Sequence, residues 1–177
     1  MNELVQHLDI VPDSRRSQYL PAKILTRLPI QDVILFVVDD DASDTAEFSE
    51  RYGFGLEDCA NTIVLRYRKA GVEQHAAVVT LGSRRLDVNG AVKERLGAQR
   101  LSFAKREIAT ELTGMEFGGI TAFGVPDDWT ILVDSAVMDR PQVVMGAGVR
   151  LAKLLLPPTL LAQLPNVDVA PLTLEAP

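Results

Sequence analysis

Residues 113–129 form a glycine-rich stretch at a point where a helix is expected to end. The stretch reads TGMEFGGITAFGVPDDW and places four glycines within eleven positions. Its central residues are Gly118, Gly119, Ile120 and Thr121, whose successive N–H groups can turn toward one point and form an anion-binding nest. Such donors suit the developing oxyanion of ester hydrolysis. A plain turn between core elements is the alternative, and composition alone favours it.

A second candidate is the acidic segment DDDASDTAEFSE, residues 39–50, which contains no basic residue. Its oxygens fall in a register similar to that of an EF-hand loop, but Asp44 occupies the position where the sharp turn of that loop requires glycine. Asp44 and Glu47 also have the spacing of an N-cap residue and its N3 partner. We therefore interpret the segment as the start of a helix and expect no metal.

Two further patterns suggest chemistry but lack the context that it needs. GAGVRL, residues 146–151, begins like a dinucleotide-binding fingerprint, yet it has no third glycine and lies too near the C-terminus for a βαβ unit. Gly146 and Gly148 are more typical of a close backbone approach. His75 lies in an apolar alternating strand, no G-x-S-x-G elbow is present, and Cys59 is typical of a small core residue. No cofactor is expected.

The periodicity predicts the elements that would position these residues. Expected helices span 20–28, 44–52 with Gly53 as its stop, 89–97 with Asn89 as its cap, 104–113 with Ala104, Ile108 and Leu112 on its apolar face, and 158–165. Expected strands span 33–38, 61–68 and 73–82 joined at 69–71, 100–104, 129–137 and 142–148. The last dozen residues are predicted to form a loosely held tail. The class is therefore α/β or α+β with a mixed sheet.

The composition limits the number of domains and the kinds of partner that the chain is expected to have. The 177 residues include 47% hydrophobic and 24% charged residues, which predicts one domain over 1–177. No apolar run approaches the roughly 20 residues that cross a bilayer, so we expect a cytoplasmic location and no membrane partner. The net charge of −6 argues against long contact with a phosphate backbone and against DNA as a partner.

Several motifs together resemble a known family. SDTAEF, ANTIVLRYR, LDVNGAVKERLGAQRLSFA, TGMEFGGITAFG, ILVDSAV and VVMGAGVR follow one another with the order and spacing of the YbaK/EbsC-type aminoacyl-tRNA deacylases. These proteins are related to the editing domain of bacterial prolyl-tRNA synthetases. The resemblance covers roughly residues 40–165 and places the core of an editing-like domain at about 30–165.

The resemblance implies a mixed, strongly curved sheet surrounded by helices. It also implies a trans-acting deacylase that binds the aminoacylated acceptor end of tRNA and uses water as the nucleophile. Residues 118–121 and Asn61 then correspond to catalytic positions. Positions expected to bind substrate are Asp44, Thr45, Asp134, Gly146 and Gly148. Whether the chain is a monomer or a dimer stays open.

Two positions depart from the family pattern. Many members carry a lysine that is important for activity at the start of the strand where this chain has Asn61, and a proline follows GGIT where this chain has Ala122. Asparagine donates and accepts hydrogen bonds but supplies no cation. A relative that binds an aminoacyl group, an amino acid or a partner protein without catalysis is therefore the alternative function.

Overall fold

The structure, a computed structural model, describes residues 2–175. Met1, Ala176 and Pro177, at the ends of the predicted domain, lie outside the described residues. The α-helices are α1 (Asn2–Val5), α2 (Ala22–Arg27), α3 (Thr45–Tyr52), α4 (Lys93–Leu96), α5 (Arg106–Thr113) and α6 (Ser135–Met138). The strands are β1 (Asp9–Ile10), β2 (Ile34–Val37), β3 (Ala60–Lys69), β4 (Val72–Leu81), β5 (Arg100–Phe103), β6 (Thr130–Asp134), β7 (Val143–Gly146), β8 (Ala152–Leu156) and β9 (Val167–Ala170). None of these helices is long and apolar enough to cross a membrane.

The strands form two sheets. The first has the order β1-β2-β8-β7, and all its neighbours are antiparallel. The second has the order β5-β3-β4-β6-β9 and is mixed, because β4, β6 and β9 run parallel while β3 is antiparallel to both of its neighbours. A single parallel bridge between Cys59 and Val144 links the two sheets. The mixed α/β class expected from the sequence is confirmed.

Local signals account for several element boundaries. The Asp44 carboxylate accepts a hydrogen bond from the N–H of Ala46 and caps α3, which ends at Gly53 in the left-handed conformation with φ 80°. The β3–β4 hairpin closes through Ala70 and Gly71, both with positive φ. Because these signals involve residues close in sequence, they were predictable.

The predicted tail is wrong for residues 167–174. The segment Val167–Ala170 is strand β9, which pairs parallel with β6, and Leu172 behind it is 1% exposed. The N–H of Leu172 donates to the Asp134 carboxylate over 2.8 Å. The buried pairing partner, distant in sequence, is what orders this segment. The sequence also did not predict β8, which β2 and β7 enclose.

Four smaller predictions, three about helices and one about a strand, are also wrong. A helical turn, Val88–Val92, leads into α4, and its N-cap is Asp87 and not Asn89. The Asp87 carboxylate accepts from the N–H groups of Gly90 and Ala91. Helix α5 begins at Arg106, since Ala104 still pairs with Val64 of β3. Its buried residue is Ala109, whereas the predicted apolar face leaves Ile108 and Leu112 37% and 42% exposed. The end of the predicted strand 129–137 is the short helix α6.

The largest apolar cluster contains residues from both sheets, so their packing holds the sheets together. Leu35 of β2 and Leu154 of β8 contribute from the first sheet, and Val79 of β4 and Ile131 of β6 from the second. All four are at most 1% exposed. Burial of such side chains contributes about 1.5–3 kcal/mol each to stability. This core holds β3 of the second sheet beside β7 of the first.

Candidate functional site

A cavity of about 450 Å³ opens where the two sheets meet. Its walls are residues 43–45 before and within the first turn of α3, the first half of β3 at 60–64, and parts of 103–109. Three residues of the glycine segment, the end of β7 and one residue of β8 complete it; the three are Phe117, Gly118 and Ile120. The cavity therefore joins segments that are far apart in the sequence.

Six of the ten site residues predicted from the sequence line this cavity. They are Asp44, Thr45, Asn61, Gly118, Ile120 and Gly146. The other four, Gly119, Thr121, Asp134 and Gly148, do not line it. The structure thus brings together the start of α3, the start of β3 and the two glycine turns.

The two glycine turns pack backbone against backbone. Gly148 donates its N–H to the carbonyl of Gly119. A Cβ on Gly119 would lie 2.4 Å from the carbonyl oxygen of Val149, and a Cβ on Gly146 would lie 2.7 Å from that of Gly119. Real Cβ atoms do not approach so closely, so glycine is required at both positions for this contact.

The N–H groups of Gly118 and Ile120 in the glycine segment have no acceptor among the described residues. Gly118 adopts φ 90°, a conformation that favours glycine. The N–H of Gly119 is used by the carbonyl of Glu116, but within residues 2–175 no hydrogen bond engages the N–H groups of Gly118 or Ile120. Both residues line the cavity, and N–H groups without a protein acceptor are the kind of donor that an anionic oxygen uses.

Asn61 is held by Thr45. The Thr45 hydroxyl donates to Oδ1 of Asn61 over 2.7 Å, which joins the start of β3 to the first turn of α3. This bond assigns the acceptor end of the amide and leaves its NH2 group as a donor. On the neighbouring position, the Thr62 hydroxyl accepts from the N–H of Ala122 over 3.1 Å and ties β3 to the glycine segment.

Asp134 lies at the end of β6, away from the cavity. It is 1% exposed, accepts from the N–H of Leu172, and lies 3.6 Å from Nε of Arg84. These contacts anchor the segment after β9.

The side chain of Thr121 is fully buried and its hydroxyl has no partner among the described residues. Gly148, with φ 85°, packs against Ile24 and Pro21 of the α2 region.

Lys153 of β8 lines the cavity and was not predicted. It is 7% exposed, and its ammonium donates to the carbonyl of Ser43 over 3.1 Å. Burial lowers the pKa of Lys153, while Cys59 and Asp44 act in the opposite direction. The signal in the sequence is a single charge within the apolar run LAKLLL, residues 151–156.

The mouth of the cavity carries aromatic and basic groups. Phe103 and Phe117 both line the cavity and are 55% and 44% exposed. The guanidinium carbon of Arg106, at the start of α5, lies 4.3 Å from the centre of the Phe117 ring. Exposed aromatic rings beside an arginine are typical of surfaces on which nucleic-acid bases stack.

A larger cavity of about 540 Å³ shares a wall with the first. Asn61, Ile63 and Phe103 line both. The larger one also contains Arg84 and Arg85. Arg84 bonds to the Thr173 hydroxyl, whereas the Arg85 side chain makes no hydrogen bond or ion pair with another described residue. The two cavities together form a groove with apolar, aromatic and basic parts.

The alternative nucleophile and base lack a catalytic arrangement. Cys59 is 2% exposed, and burial raises the pKa of its thiol to about 11. The thiolate that nucleophilic attack requires is therefore a minor form near neutral pH. The His75 ring stacks on Trp129 with 5.7 Å between ring centres, and its Nε2 has no partner among the described residues.

Comparison with known proteins gives a consistent result. A family model for the aminoacyl-tRNA editing domain matches residues 39–164. The crystal structure of a candidate trans-editing enzyme for prolyl-tRNA synthetase superimposes with a TM-score of 0.75 and 22% identity, over 93% of this chain and 99% of that chain. The hypothetical protein APE2540 superimposes with a TM-score of 0.70 and 25% identity, over 79% of this chain and 90% of that chain. No curated protein sequence matches significantly.

Proposed function

The chain belongs to the aminoacyl-tRNA editing domain family, and on that premise we propose that it hydrolyses the ester of mischarged aminoacyl-tRNAs in trans. One observation carries the proposal: Gly118 and Ile120, whose N–H groups lack acceptors, line the same cavity as Asn61. The cavity volume of about 450 Å³ suits an amino acid esterified to a terminal ribose.

The proposed reaction uses water as the nucleophile. Water attacks the ester carbonyl carbon, and the carbonyl oxygen takes up negative charge as the tetrahedral intermediate forms. The N–H groups of Gly118 and Ile120 donate to this oxygen. The bond from carbon to the ribose oxygen then breaks, one proton of the water passes to the ribose oxygen and the other is released to solvent, and the free amino acid leaves as a carboxylate.

Asn61 and Thr45 are proposed to position the substrate. The Thr45 hydroxyl holds Oδ1 of Asn61, so the amide NH2 presents a donor of fixed orientation to the terminal ribose or the attacking water. Removing a positioned donor from such a site typically costs about 10²–10³-fold in rate. Asp134, Gly119, Thr121 and Gly148 are proposed to maintain the surrounding backbone rather than to touch the substrate.

The acceptor end of tRNA is the proposed partner. Phe103 and Phe117 can stack on its unpaired bases, and Arg106 adds a cation beside the Phe117 ring. Arg84 and Arg85 in the adjoining cavity supply charge for the phosphates of the last nucleotides. The net charge of −6 is compatible with a short contact of this kind.

A panel of mischarged tRNAs tests the proposal. Each tRNA carries a labelled noncognate amino acid, and release of the label is followed with and without the purified chain. We expect hydrolysis of at least one member well above the spontaneous rate. Absence of turnover across the whole panel would contradict the deacylase function.

Variants at the cavity wall connect that activity to the site. We expect Asn61→Ala to lower kcat/KM by about 100-fold and Thr45→Val by about 10-fold, because the second change frees the amide without removing it. Thr26→Val is the matched control, since the exposed Thr26 hydroxyl bonds only to the carbonyl of Lys23. Equal activity of all three variants and the wild type would place catalysis elsewhere.

Binding without catalysis is the second function, favoured by the absence of a lysine at position 61. It predicts that the wild-type chain binds aminoacylated acceptor ends but does not hydrolyse them. It also predicts that Asn61→Lys creates turnover. Turnover by the wild type that Asn61→Lys leaves unchanged or lowers would contradict this alternative.

A further inference from the structure

Lys153 places a charge in the middle of an apolar sheet. Its strand β8 is central in the four-stranded sheet, and Lys153 pairs with Phe36 of β2 on one side and Gly146 of β7 on the other. The other four residues of β8 are buried apolar residues. Lysine is almost never buried to this degree unless it is paired, so its presence needs an explanation.

The contacts of the ammonium are incomplete. One N–H donates to the carbonyl of Ser43, and the Phe48 ring lies 5.1 Å from Nζ, within cation–π range. Across residues 2–175 no carboxylate lies within 4.0 Å of Lys153. An ammonium has three donors, so further donors remain without a protein acceptor.

This arrangement is costly in the unliganded chain. A buried charge loses the energy of its hydration, and the loss is recovered only when opposite charge and hydrogen bonds replace the water. Burial accordingly lowers the pKa of Lys153, and the carboxylate of Asp44 counters this only in part. Because Lys153 lines the cavity, the missing acceptor can come from whatever occupies the cavity.

We propose that Lys153 is a specificity-determining residue that selects aminoacyl groups whose side chain carries an oxygen acceptor. This proposal rests on the proposed deacylase function. Hydroxyl and carboxylate side chains share the required chemistry, and a carboxylate also supplies the missing opposite charge. An apolar side chain of the same shape would leave the ammonium buried and unpaired, and sites of this kind discriminate strongly against such analogues.

Asp44 gives the cavity a negative charge in addition to the positive charge of Lys153. Its carboxylate lines the same cavity as Lys153, and one of its oxygens caps α3 through the N–H of Ala46. A positively charged α-amino group is attracted toward Asp44 and repelled by Lys153. The two charges therefore orient an aminoacyl group with its side chain toward β8 and its amino group toward α3.

Isosteric pairs of substrates test the proposal. The rates of threonyl- and valyl-esters on one tRNA, and of aspartyl- and leucyl-esters on the same tRNA, are compared for the wild type and Lys153→Met. We expect the wild type to favour the threonyl ester over the valyl ester in kcat/KM by at least about 100-fold. We expect Lys153→Met to reduce that ratio by at least about 10-fold, partly by raising turnover of the valyl ester.

Controls separate recognition from folding. Lys69→Met removes the same charge from the exposed end of β3, and it should leave the ratio unchanged. Lys153→Gln is a second variant that keeps a neutral donor, and it should give an intermediate ratio. Circular dichroism and thermal melts of each variant establish that the compared chains are folded.

A binding measurement keeps this inference separate from the catalytic one. Threonyl and valyl groups linked by an amide to 3′-amino-3′-deoxyadenosine resist hydrolysis, and their dissociation constants can be measured for each variant. Tighter binding of the threonyl analogue that Lys153→Met abolishes would support the inference even if no ester is hydrolysed. A wild type that treats both members of each pair alike, or a ratio unchanged in folded Lys153→Met, would overturn it.

Discussion

Burial of the Lys153 ammonium lowers the stability of the folded chain and places a polar group beside the cavity. This ammonium is nearly removed from water and has one backbone acceptor and one aromatic neighbour. Replacing a buried charge by an apolar residue of similar volume is often neutral or stabilising. Residues kept at such a cost are frequently found at functional sites, so packing alone does not account for a lysine at this position.

We predict that Lys153→Met raises the free energy of unfolding by about 1 kcal/mol at neutral pH. Burial lowers the pKa of Lys153 in the native chain below its ordinary value of 10.5. Between the lowered pKa of the native chain and the ordinary pKa of the unfolded chain, the unfolded chain binds more protons than the native chain. The wild type therefore gains stability as pH rises through that window, whereas the variant lacks this gain. The stability gap should be largest at neutral pH and narrow toward pH 10.5.

Urea unfolding of both chains at several pH values measures this gap. The Cys59 thiol, whose pKa burial raises from 9.0 to about 11 in the native chain, loses its proton earlier in the unfolded chain, which lowers the stability of both proteins as pH rises and cancels in the gap between them. A variant that is less stable than the wild type by the same amount at every pH would contradict the prediction.

At the scale of elements, the contact between the two glycine turns fixes the N–H donors. Gly119 is too close to the backbone of Val149 to accept a Cβ, and the nearest atoms belong to main chain that cannot rotate away. A substitution at Gly119 therefore disturbs the relation between the turn after α5 and the turn after β7. Such a substitution therefore tests how the site folds and not the role of a single N–H donor.

We predict that Gly119→Ala lowers the free energy of unfolding by about 2–4 kcal/mol. Gly114→Ala is the control, because Gly114 has φ 69° but a Cβ added there would meet no atom within 4 Å, so its cost is limited to about 1 kcal/mol of backbone strain. Denaturant unfolding compares the two. Equal losses of unfolding free energy in the two variants would mean that the backbone around Gly119 shifts at little cost to accept the added Cβ.

The sequence predicted elements defined by local signals and missed those defined by distant partners. Asp44 and Gly53 bound α3 through contacts within the helix itself, and these were predicted. Strand β8 depends on pairing with β2, which lies far earlier in the chain, and β9 depends on β6. Lys153 was missed for the same reason, since nothing local indicates that β8 reaches the cavity.

The candidate site shows the same division. The glycine segment could be identified from its residue types and spacing, and the start of β3 from the resemblance to the family; both line the cavity. Asp134 could not be placed, because its distance from the cavity depends on the partner strand β9 and on the buried Leu172. Phe103 and Phe117 gave no signal, since their exposure follows from how α5 packs.

At the scale of the whole molecule, charge limits the contact that we propose for the acceptor end of tRNA. The chain carries a net charge of −6, while the groove formed by the two cavities contains Arg84, Arg85 and Arg106. Three phosphate contacts on a single-stranded end correspond to a slope of about −2 when the logarithm of affinity is plotted against that of salt concentration. A chain that followed the acceptor stem would give a much steeper slope.

We predict that Arg85→Ala reduces the magnitude of this slope by about 0.7 and raises KM at low salt, without changing kcat. The side chain is exposed and bonds to no other described residue, so its removal should not affect folding. Arg15→Ala is a control on an exposed arginine whose partner is Gln18, outside both cavities. A slope that is the same in all three proteins would remove Arg85 from the tRNA contact.

The absence of side chains between Gly119 and Val149 has a consequence for how the substrate range can change. The donors at 118 and 120 are held by the backbone contacts of the two glycine turns and by side chains outside β8, such as Thr62, while the opposite wall is a strand whose only charged residue is Lys153. A mutation at 153 can therefore alter the polarity of the cavity without moving the donors. Reprogramming this protein toward another amino acid would begin on β8 and leave both glycine turns untouched.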